Sequence, residues 1–214
     1  MSDYIADARG PDAEPGGGNV TAAAAAHNGC VIGSRHVPHS SNSLQLWLVR
    51  HGLTASNEAG RISGWEDPEL TPTGREQAEA VAARLVDEEF DGVWSSDLRR
   101  ARQTAALAWG EGARPDPRLR ELNFGILDGE VWRELPKATL TAMKRFQSFV
   151  AEGGESTAEL GQRLLSFFSE LPPGRHLVFT HGGVIYWLLG RFGDGAWLGC
   201  GELVKLDVRL DDLC

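Results

Sequence analysis

The sequence predicts a layered α/β fold with a mainly parallel sheet, on three observations. Apolar runs of strand length alternate along the chain with longer amphipathic stretches, as expected when strands and helices alternate. The first run, LQLWLV at residues 44–49, is almost entirely apolar, as in a strand that is covered on both faces. A chain of 214 residues is also long enough for one domain with a substantial core.

Residues 1–43 differ in composition from the rest of the chain. They are rich in Gly, Pro, Ser and Asn and contain few large apolar side chains, so they bury too little surface to offset the entropy lost on ordering. We therefore predict a disordered or low-complexity extension over residues 1–43 and a folded domain over residues 44–214. Four potential metal ligands lie in the extension, but their spacing fits no common zinc motif and predicts no metal site: His27, Cys30, His36 and His39.

Helix and strand signals alternate in the first half of the domain. Residues 70–90 form an amphipathic pattern, for which Pro72 after Thr71 suits the first helical turn. Thr73 and Glu76 have the spacing of a competing capping box. Residues 91–96, DGVWSS, then predict a second strand, and residues 98–110 predict a helix that Gly110 would end.

The second half repeats this alternation. Residues 156–171 predict a helix, with Ser156 and Glu159 spaced as a capping box. HLVFT at residues 176–180 predicts a strand, and GGVIYWLLGRF at residues 182–192 predicts the helix that follows it. Residues 202–210 alternate between apolar and polar, as in a strand at the edge of a sheet.

Cationic side chains follow three of the predicted strands directly. Ligands of open α/β sheets bind beyond the carboxyl ends of the strands, so we expect these groups to meet at one edge: Arg50 and His51, Arg100 after Ser95 and Ser96, and His181. Burying cations is costly unless something compensates their charge. A tetrahedral phosphate fits, because guanidinium groups bind its oxygens bidentately. The N–H groups of Gly182 and Gly183 open the next helix and could add to this site.

Composition and charge exclude several classes of partner. The net charge of −9 and the pI of about 5.2 argue against nucleic acid or an anionic membrane as the main partner. The chain lacks an apolar run of the ~20 residues that a membrane span needs, and its N-terminus has no secretory signal pattern. Three cysteines form no disulfide framework. These features predict a cytoplasmic protein.

Four motifs in a consistent order resemble the histidine phosphatase superfamily. They are LVRHGLTASN, SSDLRRARQTA, LRELNFGILDGE and FTHGGVI, and the resemblance covers about residues 46–189. The more similar branch is the phosphoglycerate-mutase-like one, and within it the short phosphatases such as α-ribazole phosphatase. This resemblance implies a three-layer αβα sandwich of the phosphoglycerate-mutase type, with no cofactor and no metal.

The resemblance also implies roles for individual residues. It makes His51 the nucleophile and Glu121 the proton donor, and it places Arg50, Asn57, Arg100 and His181 around the phosphate. Thr54 and Gly64 match positions that often touch substrate. The chain departs from the short phosphatases at Leu127, where a tryptophan is usual.

The chemistry of these residue types agrees with phosphoryl transfer. A neutral His51 can attack phosphorus and form a phosphohistidine, while Arg50, Arg100 and a protonated His181 hold the oxygens. Glu121 can protonate the leaving group if an apolar wall raises its pKa. Phe124 and Trp132 are candidates for that wall.

The expected function is therefore hydrolysis of a phosphate monoester of a small metabolite. Two alternatives stay open, a phosphoglycerate-type mutase and a non-catalytic phosphate-binding scaffold. The 60 residues from Glu121 to His181 and the GGES sequence at residues 153–156 favour a phosphatase over a mutase. A serine hydrolase is not expected, since Ser95 and Ser96 lack a GxSxG elbow. The sequence predicts neither the identity of the substrate nor an oligomeric state.

Overall fold

One five-stranded sheet forms the centre of the protein in a computed structural model that describes residues 42–213. The strands are β1 (Ser43–Arg50), β2 (Gly92–Ser96), β3 (Arg114–Asp116), β4 (Gly174–Thr180) and β5 (Leu203–Arg209). Their order across the sheet is β3-β2-β4-β1-β5. The first four strands of that order are mutually parallel, and β5 pairs antiparallel with β1. The sheet is therefore mainly parallel, as the sequence predicts.

Six α-helices connect and flank these strands. They are α1 (Ala55–Glu58), α2 (Pro72–Ala83), α3 (Arg99–Ala108), α4 (Lys137–Lys144), α5 (Thr157–Ser169) and α6 (Gly182–Phe192). Within residues 42–213, no helix has the length and hydropathy that crossing a membrane requires. Residues 1–41 of the predicted extension, which include its four potential metal ligands, lie outside the described residues, and Ser43 already belongs to β1.

Helices cover both faces of the sheet. On one face, Leu46 and Leu48 of β1 share a buried core with Phe167 of α5 and Leu188 of α6. On the other face, the intervening β1 residues Trp47 and Val49 pack with α2 and α3, for example against Val81 and Ala105. Both faces of β1 are buried, which explains why its sequence is almost continuously apolar. The three-layer αβα sandwich is confirmed.

The predicted elements occur with small differences at their ends. Helix α2 stops at Ala83, whereas the sequence pattern extends to residue 90. The acidic residues 87–89 would oppose the helix dipole at a C-terminus, and the chain instead turns towards β2. At its start, the Thr71 hydroxyl accepts the Gly74 N–H at 3.1 Å, so the Thr73 capping box is not used. Strand β3 and helix α4 were not expected, because both are short.

The start of α2 lies against the backbone that follows His51. A Cβ on Gly74 would lie 2.1 Å from the Leu53 carbonyl oxygen, and one on Gly52 would lie 2.2 Å from the Gly74 carbonyl oxygen. Only glycine allows the two backbones to approach this closely. The contact sets the path of the loop that leaves β1.

We expect Gly74→Ala to destabilise the protein although alanine favours helices. Helix propensity would stabilise the variant by about 1 kcal/mol, but the new methyl group meets rigid backbone, and overpacking typically costs about 1–3 kcal/mol. Denaturant unfolding measures the difference. Glu79→Ala, at an exposed position of the same helix, is the control and should stay within about 0.5 kcal/mol of the wild type. A wild-type midpoint for Gly74→Ala would contradict the close approach.

Candidate active site

The carboxyl ends of β1, β2 and β4 bring the predicted cations together. Arg50 ends β1 and precedes His51, Arg100 lies in the first turn of α3, and His181 caps the N-terminus of α6. The rings of His51 and His181 lie 5.2 Å apart between centroids. Arg100 and His181 are completely buried, and His51 is 3% exposed. The convergence at one sheet edge follows from the parallel pairing of β1 with β4 and of β4 with β2.

Hydrogen bonds define the tautomer of His51. Its Nδ1 lies 2.8 Å from the Gly52 carbonyl oxygen, which can only accept, so Nδ1 carries the proton. Nε2 is then unprotonated and accepts the Nε–H of Arg100 at 3.3 Å. Burial, with the nearby charges of Arg100 and Arg50, holds the pKa of His51 well below its ordinary value. His51 therefore presents a lone pair on Nε2 at neutral pH.

Backbone carbonyls hold the guanidinium of Arg100 in place. It donates to Glu66 O at 2.6 Å, to Gly64 O at 2.7 Å and to Ser63 O at 3.3 Å. Burial lowers the pKa of Arg100, but an arginine remains charged at neutral pH. Gly64 thus supports Arg100 through its carbonyl group, and a Cβ there would lie 2.8 Å from the Leu122 carbonyl oxygen.

Asp128 fixes the loop that carries these carbonyls. Its carboxylate accepts the backbone N–H groups of Gly64 at 2.6 Å, Trp65 at 2.7 Å and Glu66 at 2.9 Å. The LRELNFGILDGE motif therefore contributes to the site twice, through Glu121 and through Asp128. Asp128 has no role predicted from the sequence. Its position within the motif is the only sequence feature that points to one.

His181 is held by the hydroxyl of Ser96. Its Nε2 lies 2.8 Å from Ser96 Oγ, while its buried Nδ1 has no hydrogen-bond partner among residues 42–213. Ser96 Oγ also accepts the Leu98 N–H at 3.3 Å. Burial, followed by the charges of Arg100 and His51, holds the pKa of His181 well below its ordinary value. This differs from the expectation of a protonated His181, because the ring is buried beside other cationic groups.

Glu121 is buried at the start of α6. Its carboxylate accepts the Leu122 N–H at 2.8 Å and the Gly183 N–H at 2.9 Å. Burial raises the pKa of Glu121 despite these two hydrogen bonds. The Gly183 amide, expected to face an anion, is therefore bonded to Glu121 instead. Gly182 packs closely at this helix end, where a Cβ would lie 2.9 Å from the Trp197 ring.

Thr54 and Asn57 cap the short helix α1. The Thr54 hydroxyl donates to Asn57 Oδ1 at 2.8 Å, and Asn57 N donates to the Thr54 hydroxyl at 3.3 Å. Thr54 is completely buried, whereas Asn57 lines the pocket in front of His51. The structure thus places Thr54 behind Asn57, in a position to orient it.

One pocket of about 600 Å³, which includes space open to solvent, lies in front of His51, whereas Arg100 and His181 are not among its lining residues. Arg50, His51, Asn57 and Glu121 line it. Six further lining residues were missed or assigned otherwise from the sequence: Gly60, Arg61, Ile62, Ser63, Trp132 and Trp197. Arg50 donates to the Leu198 carbonyl oxygen, and its guanidinium lies 5.2 Å from the centre of the Trp197 ring. Leu127 lines neither this pocket nor the apolar pocket beside it. Across residues 42–213, no group of three or more His, Cys, Asp or Glu side chains is arranged for a metal.

A model of the histidine phosphatase superfamily (branch 1) matches residues 46–198. The chain belongs to the histidine phosphatase superfamily. The match spans every site residue described above, from Arg50 to Trp197, and confirms the resemblance of the four sequence motifs. Members of this superfamily act on small phosphorylated substrates.

The similar proteins are named either as phosphoglycerate mutases or as phosphatases. A probable phosphoglycerate mutase GpmB of Yersinia enterocolitica is 38% identical over 157 residues, which are 68% of this chain and 73% of that protein. The structure of a phosphoglycerate mutase from Thermus thermophilus is 40% identical, with a TM-score of 0.70 over 75% of this chain and 91% of that one. The structure of "a putative alpha-ribazole-5'-P phosphatase" from Escherichia coli K-12 is 28% identical, with a TM-score of 0.65 over 78% of this chain and 92% of that one.

The two buried histidines predict a stability that falls on acidification. Their folded pKa values lie below the ordinary 6.5, so below that pH the unfolded chain binds protons that the native state does not. We expect the thermal midpoint to fall as the pH decreases from about 6.5. The double variant His51→Asn/His181→Asn should show a smaller fall. Glu121→Gln should retain it, because the raised pKa of Glu121 stabilises the protein at low pH instead. Equal slopes for the wild type and the double variant would contradict this account.

The contact with Ser96 predicts the tautomer of His181. Since Ser96 Oγ accepts from Leu98, its own proton can go to Nε2, which leaves the histidine proton on Nδ1 as a donor for an anion. We expect ¹H–¹⁵N NMR spectra to show Nδ1–H in the wild type and a changed tautomer ratio in Ser96→Ala. Affinity for inorganic phosphate should fall about fivefold, the equivalent of one hydrogen bond of ~1 kcal/mol. Ser95→Ala, next to it and also buried, is the control. An unchanged tautomer in Ser96→Ala would contradict the assignment.

Proposed function

We propose that the protein is a metal-independent phosphomonoester hydrolase that forms a phosphohistidine on His51. The observation that carries this proposal is a pairing within one pocket. An unprotonated His51 Nε2 and a buried Glu121 of raised pKa line the same cavity. A nucleophile and a proton donor are the two groups that displacement of an alcohol from phosphorus requires.

In the first step, the His51 Nε2 lone pair attacks phosphorus and the ester P–O bond breaks. The leaving oxygen takes a proton from Glu121, so the alcohol departs neutral. Arg100 currently donates its Nε–H to His51 Nε2. Once that lone pair forms the P–N bond, the N–H is released to a phosphoryl oxygen and adds to the charge supplied by Arg50.

In the second step, water attacks the phosphohistidine and the P–N bond breaks. The Glu121 carboxylate takes the proton of that water, inorganic phosphate leaves, and His51 regains its lone pair. His181 acts as a neutral donor through its ring N–H, and Asn57 lies beside the same pocket. The hydrogen bond from His51 Nδ1 to Gly52 keeps the attacking nitrogen unprotonated throughout.

A mutase is the second candidate, and the names of the 38–40% identical relatives favour it. A mutase must keep water from its phosphohistidine until the substrate returns. Here the catalytic pocket is partly open to solvent, and its lining comes from residues 57–63, Trp132 and Trp197 as well as from Arg50, His51 and Glu121. The open pocket supports hydrolysis over transfer.

We expect p-nitrophenyl phosphate and alkyl phosphates to be hydrolysed in the presence of a chelator, and His51→Ala to abolish turnover. Glu121→Gln should reduce kcat on an alkyl phosphate by about 10²–10⁴-fold. The reduction on p-nitrophenyl phosphate should be smaller, because nitrophenolate leaves without a proton. Arg100→Ala should also inactivate the enzyme, whereas Arg102→Ala, exposed on the same helix, serves as the matched control.

A direct comparison separates the two candidates. With 3-phosphoglycerate, a hydrolase releases inorganic phosphate or does nothing, whereas a mutase forms 2-phosphoglycerate. Interconversion without phosphate release would overturn the proposal in favour of the mutase. A folded wild type that binds phosphate but turns over no ester would instead point to the scaffold.

A further inference from the structure

Glu121 lies on a segment without regular secondary structure. Residues 120–124 belong to neither a helix nor a strand, so their backbone N–H and C=O groups are not paired by the sheet or within a helix. Backbone groups that are removed from water need other partners. The partners that fix this main chain therefore decide where the Glu121 carboxyl group lies relative to His51.

Arg163 of α5 binds the main chain at Glu121. Its guanidinium donates to the Arg118 carbonyl oxygen at 2.6 Å and to the Glu121 carbonyl oxygen at 2.9 Å. The Glu121 carbonyl oxygen also accepts the Trp65 indole N–H at 3.0 Å. Because a carbonyl oxygen has two lone pairs, both are used, and the peptide group that follows Glu121 is held in one orientation.

Glu155 binds both Arg163 and the main chain beyond Glu121. Its carboxylate accepts from the Arg163 guanidinium at 2.6 and 3.1 Å and from the Asn123 N–H at 2.9 Å. The Glu155 N–H donates in turn to the Asn123 carbonyl oxygen at 3.0 Å. A carboxylate and a guanidinium joined by two hydrogen bonds have a defined mutual geometry. The pair therefore fixes the chain on both sides of Glu121.

The GGES sequence at residues 153–156 provides this contact. The Ser156 hydroxyl caps α5 by accepting the Glu159 N–H at 3.1 Å, so a helix cap accounts for the serine. It does not account for the two residues before it. A Cβ on Gly154 would lie 2.1 Å from the Asn123 carbonyl oxygen, so glycine allows Glu155 to reach the chain beside Glu121.

We propose that Glu155 and Arg163 are positioning residues for the proton donor Glu121. This inference rests on the proposed hydrolase activity and adds the side chains that keep the Glu121 carboxyl group within reach of the leaving oxygen. Neither of them lines the catalytic pocket, so they act on the reaction through the residues they hold. A displacement of about 1 Å at a reacting group can lower a rate by about 10²-fold.

The dependence of the rate on the leaving group tests this positioning. We expect Arg163→Lys and Glu155→Gln to lower kcat/KM for an alkyl phosphate by about 10- to 10²-fold. The value for p-nitrophenyl phosphate should fall by less than about threefold, because nitrophenolate leaves without a proton from Glu121. In the Glu121→Gln background, neither variant should lower the alkyl phosphate value by more than about a further twofold.

A loss of folded enzyme would lower kcat/KM equally for the two esters. Equal losses would therefore overturn the inference and leave the hydrolase intact. Arg163→Lys keeps the positive charge, which also acts on His181, but replaces the planar fork with one ammonium group. Should this variant not fold, Glu155→Gln alone decides the test.

Arg118→Lys and Glu170→Gln are the matched controls. The Arg118 guanidinium links the same part of the chain to the end of α5 through Glu170, at 2.8 and 2.9 Å. Its other side-chain contacts are with Asp116, Ser166 and Phe167, and not with residues 120–124. Exposed ion pairs contribute little, so both controls should hydrolyse both esters within about twofold of the wild type.

Amide hydrogen exchange tests the position of Glu121 without any turnover. The Gly183 N–H donates to the Glu121 carboxylate at 2.9 Å and, in the first turn of α6, has no partner within the helix. We expect this N–H to exchange at least about fivefold faster in Arg163→Lys and at the wild-type rate in Arg118→Lys. Unchanged exchange in Arg163→Lys would overturn the positioning. A wild type that hydrolyses no ester would overturn the hydrolase instead.

Discussion

The burial of Arg100 beside two histidines is the constraint around which the site is organised. Its side chain is completely enclosed and cannot turn to solvent, so every hydrogen bond it makes must come from the protein or from a ligand. Three backbone carbonyls and His51 Nε2 supply those bonds in the structure. The pKa values of both histidines are lowered, because a further positive charge in this buried, cationic cluster would be costly.

Two buried or partly buried carboxylates, Asp128 and Glu121, position the chain around Arg100. The backbone carbonyls that accept hydrogen bonds from Arg100 lie on a loop whose N–H groups donate to Asp128. The Asp128 carboxylate therefore fixes the position of these carbonyls. Glu121 receives two backbone N–H groups and still has a raised pKa, because burial outweighs them. A Cβ on its neighbour Gly183 would lie 2.3 Å from Glu121 Oε1, so a side chain there would displace the carboxylate. The proton donor and the start of α6 are thus positioned together.

Two pockets of different chemistry adjoin at this end of the sheet. The first is polar and is lined by Arg50, His51 and Glu121, whereas the second is lined mainly by aromatic rings. Trp197 belongs to both and connects them through its contact with Arg50. Proteins named mutases and phosphatases share this fold, so the function of such a protein depends on its site and not on its architecture.

Local sequence patterns were enough to predict every described strand except β3, most helices and the meeting of Arg50, His51, Arg100 and His181. The reason is geometric, because residues that directly follow parallel strands reach the same edge of the sheet. Glu121 came from the family resemblance alone. The support of His181 by Ser96 and of the Gly64 loop by Asp128 joins residues 85 and 64 positions apart, and no local pattern encodes such pairs. The protonation of His181 and the apolar pocket were likewise decided by tertiary structure, since desolvation and cavity shape depend on side chains that only folding brings together.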